Sequence, residues 1–128
     1  MQITFLDFET LGKDLTTDAF KSFGTVTVYG TTSPEEVSLH IADSEVVITN
    51  KVKLNASNLT PATALRLICI AATGFDNVDL EYCRAHGIAV CNVIGYSTQS
   101  VAQVTVSMAL SLITHLPEYS AYVADGRY

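Results

Sequence analysis

Apolar positions along the chain fall into five short runs, each followed by sequence of a different rhythm. Ile3-Thr-Phe-Leu-Asp7 is apolar up to a closing acid and predicts a strand. Thr25-Val-Thr-Val-Tyr29 is dominated by β-branched side chains, which suit pleated backbone. Glu45-Val-Val-Ile-Thr49, Leu67-Ile-Cys-Ile-Ala71 and Ile88-Ala-Val-Cys91 complete the set. Between them the spacing changes. Leu15, Ala19, Phe20 and Phe23 predict a helix over Asp14–Phe23, stopped by Gly24. Ser33-Pro34-Glu35-Glu36 reads as a helix start, with a cap, a proline at the first position and acids in the first turn; Val37 and Ile41 continue it. Short helices are expected over Asn55–Thr63, with Pro61 near the end, and over Asp79–His86, closed by Gly87. A long helix is expected over residues 99–116, ending at Pro117.

Strand and helix thus alternate five times, which calls for a parallel sheet with helices on both faces. The expected fold is α/β and flavodoxin-like: a doubly wound five-stranded parallel sheet, order 2-1-3-4-5, followed by a long C-terminal helix.

Composition narrows the function. The chain has 128 residues, 48% of them hydrophobic and only 16% charged, a balance that builds a buried core of about one domain. The net charge is −6, and the longest basic cluster is Lys51-Val-Lys53. Nucleic-acid binding draws on many cations, so no nucleic-acid partner is expected. From Ala85 to Pro117 there is no Asp, Glu, Lys or Arg. Its most apolar part, Val101–Leu116, is shorter than the ~20 residues of a membrane span. It is also interrupted by Gln103, Thr105, Ser107, Ser111 and His115. It is read as surface covered by protein, not membrane. The N-terminus lacks the basic start of a signal peptide. Cys69, Cys83 and Cys91 form no CxxC pair, which predicts buried free thiols, a cytoplasmic location and no metal site.

Ligands of an open parallel sheet gather beyond the carboxyl ends of its strands. Three candidates stand there. Thr73-Gly74 follows the fourth strand, where successive backbone N–H groups can hold an anion; an ordinary strand-to-helix turn is the alternative. Lys51 follows the third strand and can face a carboxylate, or can simply be solvated. Ser97 and Thr98 open the long helix, as anion site or as N-cap. His40, His86 and His115 are read as structural or surface residues, and no nucleophile–base pair is evident. No two of the seven glycines are separated by one residue, so there is neither a G-x-G-x-x-G turn nor a P-loop. A phospho-accepting receiver module needs an aspartate ending the third strand, and Ile48-Thr-Asn-Lys51 has none.

Several segments together carry a resemblance. They are Val46-Val-Ile-Thr-Asn-Lys51, Ala72-Thr-Gly-Phe-Asp-Asn-Val-Asp-Leu80, Gly87-Ile88, Cys91-Asn-Val-Ile-Gly-Tyr-Ser-Thr-Gln-Ser-Val-Ala-Gln103 and Leu116-Pro-Glu-Tyr119. Over essentially the whole chain the sequence resembles the D-isomer-specific 2-hydroxyacid dehydrogenases, most closely the glycerate dehydrogenase (hydroxypyruvate reductase) branch. The resemblance implies a substrate domain over residues 1–98. Residues 99–128 would be an interdomain and dimerisation helix leading, through Ala124–Tyr128, to an NAD domain that the sequence does not contain. The family's catalytic Arg, Glu and His would lie in that missing part, so this chain would hold no catalytic residue and be inactive alone. The resemblance places the carboxylate of a small 2-hydroxy or 2-keto acid on the N–H groups of Thr73 and Gly74, with Lys51 and Ser97 on the substrate side. Thr73 and Thr98 would approach NAD or NADP, which this chain alone would not hold tightly. Gln103 stands in the family's Val-Ala-Glu/Gln motif, on the crossing helix. That helix would also make a homo-oligomer through residues 101–116. The alternative is a non-catalytic domain that only oligomerises or binds.

Overall fold

In the computed structural model, which describes residues 1–127, the five apolar runs pair into one sheet. The strands are β1 (Gln2–Phe5), β2 (Thr25–Val28), β3 (Val46–Thr49), β4 (Leu67–Ile70) and β5 (Ala89–Cys91). All pairings are parallel and the order is β2-β1-β3-β4-β5. One register row crosses the whole sheet: Val26, Ile3, Val46, Leu67, Ala89. The chain winds outward from β1 in both directions, so the switch point lies between β1 and β3.

Alternation along the strands divides the core. Leu6, Val47, Ile68 and Ile70 face one side. There they meet Val37 and Ile41 of α1 (Val37–Ile41), Leu59 of α2 (Ala56–Leu59) and Cys83 of α3 (Leu80–Ala85). Each fully buried aliphatic side chain contributes about 1.5–3 kcal/mol. Ile3, Phe5 and Ile48 face the other side, under Phe8, Leu11 and Phe20. Phe5 meets Phe8 and Phe20 edge to face, with ring centroids 5.4 and 5.2 Å apart.

Several local expectations are corrected. The helix expected over Asp14–Phe23 is only a 3₁₀ turn at Asp18–Ser22. Of its apolar stripe only Phe20 packs inward; Leu15 and Phe23 stay exposed, so no helical face is buried. Ser33–Glu36 is a turn before α1 rather than its first turn. The Glu36 carboxylate accepts the Ser33 N–H at 3.0 Å and hydroxyl at 2.8 Å, and these bonds hold it below the usual carboxylate range. The helix expected over Asn55–Thr63 shortens to α2, with Asn55 capping it through the N–H groups of Ser57 and Asn58. Of the three thiols only Cys83 is buried; Cys69 is half-buried and Cys91 exposed.

The chain divides into two compact units, Met1–Ile94 and a second from Gly95 onward. In the second, the helix expected over 99–116 is two helices, α4 (Thr98–Ile113) and α5 (Leu116–Ala124), bent by 64°. Pro117 begins α5 instead of stopping α4, because the first turn of a helix needs no N–H from it. The bend falls at His115, whose φ of 52° is left-handed; it is the N-cap of α5, not the last turn of the long helix. Among the described residues no single helix is long and apolar enough to cross a membrane, though the bent pair α4 and α5 reaches that length and composition together. Tyr128, which closes the expected 99–128 segment, lies outside the described residues.

Candidate functional site

The carboxyl ends of β1, β3 and β4 lie side by side. Thr49 and Ile70 are register partners, so the loops carrying Lys51 and Thr73-Gly74 leave the sheet from neighbouring positions. A parallel bridge between Leu54 and Val78 ties these loops further on. Leu54 donates to the Asn77 carbonyl and accepts from the Asp79 N–H, both at 2.8 Å. Asn77 donates its side-chain amide to the Val52 carbonyl at 3.1 Å.

The two loops treat their backbone N–H groups differently. After β3 they are taken up internally. Asp7, buried at the end of β1, accepts the Asn50 N–H at 2.9 Å and the Lys51 N–H at 2.6 Å. After β4 they are open. Among the described residues, the N–H groups of Thr73, Gly74 and Phe75 have no protein acceptor, and all three residues are exposed. Consecutive unpaired N–H groups on a turn are a ready receptor for an anion. The loop is held from the edge strand: Asn92 donates its side-chain amide to the Thr73 carbonyl at 2.7 Å, and Val93 its N–H to Ala72 at 3.0 Å.

Gly74 does not need to be glycine for its backbone. Its φ is not in the left-handed region, and an added Cβ would come no nearer than 3.3 Å to a neighbouring atom, the Asp76 carboxylate. Gly95, by contrast, has φ 77° and demands glycine for its turn.

Lys51 also borders a groove of about 450 Å³ with Asp7, Thr10, Thr31, Lys53 and Asn55. Thr73 and Gly74 are not part of that lining. Lys51 is exposed and makes no ion pair among the described residues. Ser97 and Thr98 belong to the second unit. Ser97 occupies the N-cap position of α4 without a side-chain cap bond, and Thr98 is the first helical residue. His40 stacks on Tyr29 with ring centroids 3.5 Å apart, and its Nδ1 meets the Thr32 hydroxyl at 3.0 Å. His86 stacks on Tyr82 at 3.9 Å. Among the described residues no group of His, Cys, Asp and Glu could hold a metal. Sequence reasoning did not single out Asp7 or Asn92. Both stand at strand ends, but their partners are 43 and 19 residues away and leave no local signal.

Comparison with known proteins agrees with this layout. The hydroxypyruvate reductase of Blautia hydrogenotrophica is 30% identical over all of this chain and 41% of its own length. The glycerate dehydrogenase of Methylorubrum extorquens is 32% identical over 98% of this chain and 40% of its own length. This chain thus spans about two-fifths of these relatives. A D-lactate dehydrogenase from Aquifex aeolicus, solved with NAD and lactic acid, shares the fold over the whole chain and 38% of its own length, with a TM-score of 0.76 at 23% identity. Residues 5–123, nearly the whole chain, match the model of the D-isomer specific 2-hydroxyacid dehydrogenase catalytic domain, and this chain belongs to that family.

Proposed function

We propose that the chain is the substrate-binding part of an NAD(P)-dependent D-2-hydroxyacid dehydrogenase acting on a small acid of the glycerate and hydroxypyruvate kind. The observation that carries this reading is the run of unpaired N–H groups at Thr73, Gly74 and Phe75, set beside the loop of Lys51. The acid's carboxylate accepts from these N–H groups, and the Lys51 ammonium offsets its charge. Thr73 is proposed to approach the cofactor as well. When bound, the nicotinamide would supply the hydride; the dinucleotide is proposed to be held outside this chain, whose sequence has no glycine pair spaced for a pyrophosphate turn. Acid–base chemistry likewise belongs to another part of the enzyme, so the chain by itself turns nothing over.

The test is a titration of the 15N-labelled chain with hydroxypyruvate. Saturable shifts at the Thr73 and Gly74 amides are expected, and none with the uncharged amide of the same acid. Equal response to both compounds, or none, would overturn the site. NADH oxidation that follows the chain through purification would overturn its inactivity.

A second reading adds to the first. α4 has no buried residue, although Val101, Val104, Met108 and Leu112 make an apolar stripe along it. Apolar surface of that extent favours a partner. The chain is proposed to self-associate through residues 101–116.

A further inference from the structure

We infer that Asp7 is a positioning residue for the acid site: its carboxylate holds the Asn50–Lys51 backbone and so sets where the Lys51 side chain leaves the sheet. The inference rests on the proposed role of Lys51 beside the acid.

Asp7 is only 4% exposed, and among the described residues it forms no ion pair. A buried carboxylate without a counter-ion needs N–H donors. Here they come from the neighbouring strand's loop. Asp7 Oδ1 accepts the Asn50 N–H at 2.9 Å; Oδ2 accepts the Lys51 N–H at 2.6 Å and the Asn50 N–H at 3.2 Å. The bonds cross the switch point, where β1 and β3 lie side by side. A second link runs parallel to them. The Thr10 N–H and hydroxyl both donate to the Asp7 carbonyl, and Asn50 Nδ2 donates to Thr10 Oγ1 at 3.0 Å. The end of β1, the following 3₁₀ turn (Phe8–Thr10) and the loop after β3 form one hydrogen-bonded unit.

Among the described residues the Lys51 ammonium makes no ion pair, and its side chain is exposed, so the backbone decides where it starts. An N–H bond to a carboxylate is among the stronger constraints a loop can carry. The same chemistry recurs next door with the roles changed. After β3 an internal carboxylate occupies successive N–H groups; after β4 the N–H groups are open to an external one.

The isosteric Asp7→Asn change tests this in the chain itself. It leaves one acceptor oxygen and turns an NH₂ toward a backbone donor. Hydrogen exchange at the Asn50 and Lys51 amides is expected to quicken at least about tenfold, with Val47 and Ile48 unchanged. In the hydroxypyruvate titration, read at Thr73 and Gly74, Asp7→Asn and Lys51→Met are each expected to weaken binding about tenfold. The double variant is expected to bind no more weakly than the worse single one, because both changes remove one interaction. Asp7→Glu keeps the charge on a longer arm and is expected to give an intermediate loss; it serves alone if Asp7→Asn does not fold. Unchanged exchange and affinity in these variants, or losses that multiply in the double variant, would overturn the inference and leave the acid site standing. If Lys51→Met binds the acid as the parent chain does, the role of Lys51 fails. Asp7 then fails as a positioning residue, even where exchange quickens.

Discussion

Asn92 reaches across from the end of β5 to donate its side-chain amide to the carbonyl of Thr73, 2.7 Å away. Among the described residues the N–H groups of Thr73, Gly74 and Phe75 have no backbone acceptor; Val78 N–H on the Phe75 carbonyl closes the far end of the loop, and the part around Thr73 is held from the β5 side. Replacing Asn92 by Ala removes the side-chain half of that support and leaves Val93 N–H on Ala72. The expected cost in stability, from urea unfolding, is about 0.5–1.5 kcal/mol. The loss of hydroxypyruvate binding should exceed it, because binding depends on the loop geometry and folding largely does not. An Asn92→Ala chain that binds unchanged would show that the loop holds itself.

Gly74 offers a cleaner separation of fold and site. Its backbone is in an ordinary region, and the nearest atom to an added Cβ is the exposed Asp76 carboxylate at 3.3 Å. Gly74→Ala therefore crowds the Asp76 carboxylate slightly but strains no dihedral. Loss of chain entropy in the unfolded state offsets the mild crowding. Stability is expected to stay within about 0.5 kcal/mol of the parent. The change falls on a residue whose N–H is proposed to bind the acid, and binding is expected to fall. A large drop in melting temperature would mean that the glycine serves the fold.

The thiols give an independent check on the sheet. Cys69 and Cys91 are register partners on β4 and β5, yet Cys91 is exposed and Cys69 half-buried. Burial pushes the Cys69 thiol up, and the neighbouring Cys91 adds to it. Burial, and then Asp79, push up Cys83, the buried residue of α3 in the core. A raised thiol keeps its proton longer as pH rises, so less of the reactive thiolate forms. Iodoacetamide at mildly alkaline pH should label Cys91 first and Cys69 later, with Cys83 modified only on unfolding. Mass spectrometry of timed samples reads the order, and early labelling of Cys83 would contradict its burial.

The central strands β1, β3 and β4 were legible because a parallel strand buried on both faces is written as a short apolar run, and the more exposed β2 because of its β-branched residues. All five runs became strands, and their alternation with helical spacing was enough for the order. The segment Leu15–Phe23 misled because helical spacing alone does not say how much of a stripe is covered. One ring, Phe20 on Phe5, satisfies that crossover, and nothing stabilises further helical turns. Pro117 misled because a proline that ends one helix and one that begins the next have the same look in sequence; the left-handed His115 decides between them. For the site, Lys51 and Thr73-Gly74 could be placed as strand-end residues from the pattern. The bonds of Asp7 to Asn50 and of Asn92 to Thr73 join residues distant in sequence, and only the folded sheet brings them together.

The exposed face of α4 makes the last prediction. Val101, Met108, Leu112 and Ile113 are all at least 60% exposed, and the helix has no charged residue to keep that surface in water. Burying one large aliphatic side chain is worth about 1.5–3 kcal/mol. A handful from each of two copies can outweigh an association cost estimated at 4–15 kcal/mol or more. The chain is therefore expected to be a dimer or larger species by light scattering at micromolar concentration. Met108→Lys with Leu112→Glu should shift it toward monomer. The core around Leu6, Ile41 and Ile68 involves neither residue, so unfolding of the sheet should keep its midpoint once the concentration-dependent part is removed. A parent chain that is already a monodisperse monomer would leave this face without its proposed partner. A double variant that stays associated would place the contact elsewhere.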